Sequence, residues 1–182
     1  LHTPTRRQRQ MCIRDSHKNG GLDTALFEGA TINTPSLLVI EDAIDALSWA
    51  EEIGGIEALL KRVDTSFAHF MDWVGASPHF EVLARDPATI SPTALCLVIS
   101  DNWFTAQPDE VRAGVVKSML ALLEAEDVAV DINAYRDAPT GLRIWGGPTV
   151  DPEDIASLLP WLDWAYETVR ADLQDGSPHG DG

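Results

Sequence analysis

The chain has 182 residues, with 13 Lys or Arg against 29 Asp or Glu, a formal net charge of −16. That length allows one sizeable domain or two small ones, and 45% hydrophobic with 23% charged residues is the balance of a soluble globular chain. The negative charge disfavours nucleic acid and anionic membrane surfaces as partners, and no apolar run approaches the ~18 residues of a membrane span.

Residues 1–16 stand apart. They carry Arg6, Arg7, Arg9 and Arg14 with one acid, Asp15, and show no apolar period. The string Met11-Cys12-Ile13-Arg14-Asp15-Ser16 resembles translated sequencing-adapter read-through, so this segment is expected to be non-native and the natural protein to continue upstream. No secretory signal is visible, which makes the cytoplasm the default compartment. Cys12 and Cys96 have no metal or redox spacing, and Cys96 reads as a buried strand thiol.

His17 to Ala30 reads as loop with a short extended piece. Thr34 then suits a helix N-cap and Pro35 the first helical position. Leu37, Ile40, Ile44 and Leu47 follow at helical spacing, and Gly54-Gly55 ends the element. A second helix is expected from Ile56 to Val74, with Leu59, Leu60, Val63, Phe67, Phe70 and Val74 on its apolar side. Short strands are expected at Phe80–Leu83 and Ala94–Ile99. Pro108-Asp109-Glu110 opens a third helix whose stripe is Val111, Val115, Met119, Leu122 and Leu123. Val128–Ile132 and Leu142–Trp145 read as two strands of a hairpin. Asp151 caps a last helix with Ile155, Leu158, Leu162, Tyr166 and Val169 inward, kinked or restarted at Pro160. The six tryptophans read mostly as core, and Gln174–Gly182 as a disordered tail. From Phe80 onward the order is strand, strand, helix, strand, strand, helix, an α+β layer with helices on one face of an antiparallel or mixed sheet.

The segment Tyr135-Arg136-Asp137-Ala138-Pro139-Thr140-Gly141-Leu142-Arg143-Ile144-Trp145 carries the main candidate site. Pro139 and Gly141 are turn residues, so the two arginines need not lie the ~24 Å apart that an extended chain would place them. Strand alternation puts Leu142 and Ile144 on one face, Arg143 and Trp145 on the other. Arginine's planar fork suits carboxylate and phosphate, and a substrate bearing one of each would match the pair. The alternative is a solvated loop charge at Arg136 and an edge-strand Arg143 lying along Trp145. A second candidate is Asn33-Thr34 at a helix start, where free N–H groups and the dipole favour a phosphate; the alternative is a simple cap. No histidine, including His69 and His79, falls in a metal spacing. None of Lys18, Lys61 and Lys117 has a neighbourhood that suggests a lowered pKa. There is no phosphate-binding loop, dinucleotide fingerprint or nucleophile elbow.

Three blocks together resemble the phosphoserine aminotransferase family, class V pyridoxal-phosphate-dependent transaminases. They are Gly29-Ala30-Thr31-Ile32-Asn33-Thr34-Pro35-Ser36, the Tyr135–Trp145 segment, and Leu159-Pro160-Trp161-Leu162-Asp163-Trp164-Ala165. The similarity covers about residues 17 to 173. It implies an α+β fold: the small C-terminal domain of a fold-type I transferase (55–173) plus the end of its large cofactor-binding domain and a linking helix (17–54), with 1–16 read-through and 174–182 a tail. It implies that Arg143 pairs with the substrate α-carboxylate and Arg136 with the substrate phosphate. Asn33 and Thr34 would reach the pyridoxal 5'-phosphate of the partner subunit, in a homodimer. Glutamate would donate its amino group, leaving as 2-oxoglutarate, and 3-phosphohydroxypyruvate would become O-phosphoserine in serine biosynthesis. Many relatives place a histidine before the phosphate-binding arginine, where this chain has Tyr135. The Schiff-base lysine would lie upstream of this chain, since Lys18 is too close to Thr34. No catalytic residue and no metal site is therefore expected here, and the piece alone is expected to be inactive. The alternatives are another class V aminotransferase or desulfurase, or a non-catalytic acidic α+β interaction module.

Overall fold

The computed structural model describes residues 17–18, 21–22, 24–29 and 36–175. The chain divides into two compact units, 1–49 and 50–182, so the division falls inside a helix rather than at Gly54-Gly55. In the first unit, β1 (His17–Lys18) pairs antiparallel with β2 (Gly21–Leu22), and one 3₁₀ turn covers Thr24–Glu28. Helix α1 runs Leu37–Glu52. It starts later than expected. The Ser36 carbonyl accepts the first helical bond, from Ile40 N–H, which is the N-cap's role. Thr34, Pro35 and Asn33 lie outside the described residues.

The second unit contains α2 (Gly55–Ala76), β3 (Phe80–Val82), β4 (Ala94–Ile99), α3 (Asn102–Thr105), α4 (Asp109–Ala125), β5 (Leu142–Trp145) and α5 (Pro152–Gln174). The sheet is antiparallel in the order β3-β4-β5, with Phe80 opposite Ile99 and Leu95 opposite Ile144. Strict alternation gives it one apolar face. Leu95, Leu97, Ile99, Leu142 and Ile144 point into a core with Phe70 of α2, Val115, Met119 and Leu123 of α4, and Ile155, Leu162 and Tyr166 of α5. Each such side chain contributes roughly 1.5–3 kcal/mol on burial. Ala94, Cys96, Arg143 and Trp145 therefore share the other, open face. This is the expected α+β layer with helices on one side.

Several expectations are corrected. Val128–Ile132 is not a strand. Asp127 and Asp131 both take φ 55°, which breaks extension, and only a single bridge, Asn133 to Leu142, survives of the hairpin. Helix α5 is continuous through Pro160, which is exposed, because the burial of Leu159, Leu162, Ala165 and Tyr166 around it outweighs a lost helical bond of ~3 kcal/mol. The sequence gives no warning of α3, which Asp101 nucleates by accepting from Trp103 and Phe104 N–H. Cys96 is half-buried on the open face, not in the core. Trp49, Trp145, Trp161 and Trp164 are exposed, the last two forming an edge-to-face pair at 5.2 Å. Leu60 of α2 and Val111 of α4 are also exposed despite their helical spacing. No helix among the described residues is long and apolar enough to cross a membrane.

Candidate functional site

The site is built where β5 leaves the 133–141 turn. Arg143 N–H donates to the Ile132 carbonyl at 2.8 Å and Ala134 N–H to Gly141 at 3.3 Å, so the turn closes back on the strand although its first arm is irregular. Gly141 permits this closure. A Cβ there would sit 2.1 Å from the Leu97 carbonyl oxygen of β4, a contact no side chain survives. Register then places Arg143 opposite Cys96 on the open face.

The Arg143 guanidinium stacks over the Tyr135 ring, 4.3 Å from its centroid. Its Nε is buried without a hydrogen-bond partner, and no carboxylate among the described residues approaches within ion-pair distance. The contrast with its neighbours is clear. Arg62 pairs with Asp151, Arg112 with Asp109 and Arg170 with Asp101. In so acidic a chain, a half-buried arginine without an acid among the described residues keeps its planar fork of donors available.

The structure puts the two arginines beside different cavities. Arg143 lines one of about 430 Å³ with apolar Ile144, Ile155 and Leu158 and the acids Asp131 and Asp154. Arg136 lines another of about 230 Å³ with Asn133, Tyr135, Thr140 and Lys117. Tyr135 joins them, since its ring carries Arg143 while it also lines the Arg136 cavity. Thus the two arginines do not share one described cavity; Tyr135, which carries Arg143 on its ring, lines the cavity of Arg136. Arg136 is exposed and makes no ion pair among the described residues.

The sequence missed a second polar constellation. His79 is buried between two acids: Nε2 donates to Glu167 Oε1 at 3.1 Å, and Nδ1 lies 3.5 Å from Asp101 Oδ2 without hydrogen-bond geometry. Arg170 donates to Asp101 at 3.0 Å. Burial alone would raise the Asp101 carboxyl, but the Trp103 N–H, the Arg170 charge, the Phe104 N–H and the Tyr166 hydroxyl hold it below the ordinary 3.8. The same carboxylate, after burial, pushes the Tyr166 phenol well above its ordinary 10, although that hydroxyl approaches Asp101 without completing a hydrogen bond. One turn away, Asp163 accepts from Trp73 Nε1 at 2.7 Å and Ser77 Oγ at 3.2 Å. Asp163, Glu167 and Arg170 lie on one stripe of α5, at i, i+4 and i+7. That spacing was the available signal, but their partners are 69 to 90 residues away in sequence. The charged groups of the cluster pair with one another, although His79 Nδ1 and the Tyr166 hydroxyl complete no hydrogen bond, and none of them lines either arginine cavity.

Among the described residues no group of three His, Cys, Asp or Glu is placed to hold a metal ion.

An α+β unit with helices on one sheet face has known counterparts. It superposes on phosphoserine aminotransferase from Bacillus circulans subsp. alkalophilus with a TM-score of 0.65 and 18% identity, covering 80% of this chain and 37% of that one. A second solved phosphoserine aminotransferase, studied for radiation damage of its Schiff base, gives a TM-score of 0.64 at 18% identity over 80% of this chain and 37% of that one. The architecture is thus that of part of the phosphoserine aminotransferase fold. In sequence, phosphoserine aminotransferase from Methanosarcina mazei is 39% identical over 153 residues, 84% of this chain and 39% of the relative. The chain belongs to the phosphoserine aminotransferase family, and it spans about 39% of the length of that relative. No family model matches it.

Proposed function

We propose that the protein of which this chain is a part transfers an amino group between glutamate and 3-phosphohydroxypyruvate, making O-phospho-L-serine for serine biosynthesis, with pyridoxal 5'-phosphate as cofactor. The observation that carries this reading is Arg143, a half-buried cation stacked on Tyr135 with no carboxylate partner among the described residues, while Tyr135 also lines the cavity of Arg136, a second arginine without an ion pair there. Arg143 grips the α-carboxylate through its planar fork, and Arg136 grips the phosphate. A substrate held by both straddles Tyr135, which fixes the direction in which its reacting carbon points.

The described residues do not by themselves make a cofactor cradle. Lys61 and Lys117 are exposed on helices α2 and α4, so neither is held as a Schiff-base lysine must be. Asn33 and Thr34, the residues expected at the cofactor phosphate, lie outside the described part. We place the Schiff-base lysine in the rest of the protein, the working unit as a homodimer, and the location as cytoplasmic. When bound, the cofactor supplies the electron sink; this chain's contribution is substrate binding and orientation.

The test is Arg136→Ala in the complete enzyme. We expect kcat/KM for the phosphorylated keto acid to fall about 100-fold while the glutamate half-reaction changes less than threefold, since one charge-assisted contact is lost only with the phosphorylated substrate. Equal loss in both half-reactions would refute the assignment.

A further inference from the structure

We infer that Lys117 is a second phosphate-binding residue, acting with Arg136 on the dianionic end of the substrate; this rests on the reading of Arg136 given above. The argument begins with charge. Among the described residues whose side chains are described, Lys61, Arg85, Lys117, Arg136 and Arg143 are in no ion pair. Lys61 lines an open groove that also holds Glu57, Asp64 and Asp72, so its surroundings are already acidic. Lys117 differs. It lines the Arg136 cavity, where the other polar groups are Asn133, Tyr135 and Thr140 and no carboxylate is present.

The two cavities are therefore opposite in character. The Arg143 cavity has one cation and two acids, Asp131 and Asp154. The Arg136 cavity has two cations and no acid. A phosphate carrying close to two negative charges is stabilised in the second and repelled in the first, whereas a carboxylate next to an ammonium group tolerates the first. The asymmetry gives a substrate with both ends one preferred direction. Helix α4 makes the arrangement by simple periodicity. Ala113, Val116, Lys117 and Leu120 form one face, with Val116 buried and Lys117 carried at its edge. Tyr135, the neighbour of Arg136 in sequence, is a neutral phenol stacked on Arg143, so Lys117 is the cation that joins Arg136 in lining this cavity.

The experiment uses the complete enzyme with Lys117→Gln, Lys117→Arg and Arg136→Gln. Two readouts are compared: kcat/KM for the phosphorylated keto acid and for glutamate, and the dissociation constant of inorganic phosphate measured by calorimetry. We expect Lys117→Gln to raise KM for the phosphorylated substrate and to weaken inorganic phosphate by about tenfold each, the scale of one exposed charge-assisted contact. Lys117→Arg should restore most of both, and glutamate should be unaffected. If Arg136→Gln is selective for phosphate but Lys117→Gln changes both readouts less than twofold, the role of Lys117 is overturned and the proposed function stands. If Arg136→Gln shows no selectivity either, the functional reading itself fails. Equal loss by Lys117→Gln for both substrates also overturns the inference.

Discussion

The second unit holds two polar regions that differ in one respect. Around His79 every charge has found a partner within the chain: Asp101 with Arg170 and the α3 N-terminus, Glu167 with His79, Asp163 with Trp73 and Ser77. Around Tyr135 three cations, Arg136, Arg143 and Lys117, have no acid partner among the described residues. The comparison separates scaffolding from reception. A charge paired within the chain holds the fold together, while on the reading proposed above a cation left without an acid takes a ligand. In this acidic chain the second condition is the more informative one.

The comparison can be broken first at Asp101, where the largest effect is expected. Asp101→Ala removes a helix cap of ~1 kcal/mol and leaves Arg170 without its acid and His79 with Glu167 alone, so the protein should lose about 2–4 kcal/mol of stability in a denaturant melt. Substrate selectivity should be unchanged. A melt within 0.5 kcal/mol of the parent, on the scale of an ordinary surface substitution, would show that the cluster is not scaffolding.

Arg143→Gln sharpens the other side. With no ion pair among the described residues to lose, only its stacking on the exposed Tyr135 ring, stability should shift by less than ~1 kcal/mol, while kcat/KM should fall about 100-fold in both half-reactions, because every substrate carries the α-carboxylate. A loss confined to one half-reaction would contradict the role given to Arg143.

The smallest effect is the alkaline limb of the stability curve. The Tyr166 phenol is raised above 10 in the folded state, so its contribution is complete below pH 10 and declines as pH rises beyond it. Asp101 is lowered below 3.8, so its contribution is present above that pH and declines as pH falls below it. Tyr166→Phe should flatten the alkaline decline and leave the acid limb in place, as read from melts between pH 3 and 11. An unaltered alkaline limb would remove Tyr166 from the cluster's account.

Helices α1 and α5 show the limit of reading a pattern. Both have apolar residues at helical spacing, but α5 buries Ile155, Leu159, Leu162, Ala165, Tyr166 and Val169 while α1 buries none, with Leu37 at 74% and Leu47 at 67% exposure. Periodicity reports that a face exists, not what covers it. The tryptophans misled for the same reason: size and apolarity predict burial on average, not at Trp161 or Trp164.

By itself the sequence determined the helices α1, α2, α4 and α5, the strand Ala94–Ile99, the alternation of Leu142 to Trp145, the Asp151 cap and the two arginines, because each follows from spacing, turn chemistry or residue type within a few positions. Only the tertiary structure decided that Val128–Ile132 is not a strand, that Pro160 does not break α5, that Tyr135 carries Arg143, and that Lys117 and Arg136 line one cavity. It also decided the His79 cluster, whose members are brought together from residues 73 to 170. These depend on contacts between distant segments and on backbone angles such as φ 55° at Asp131. No local period encodes them, since their energy is gained only once the sheet and its helices have closed around a common core.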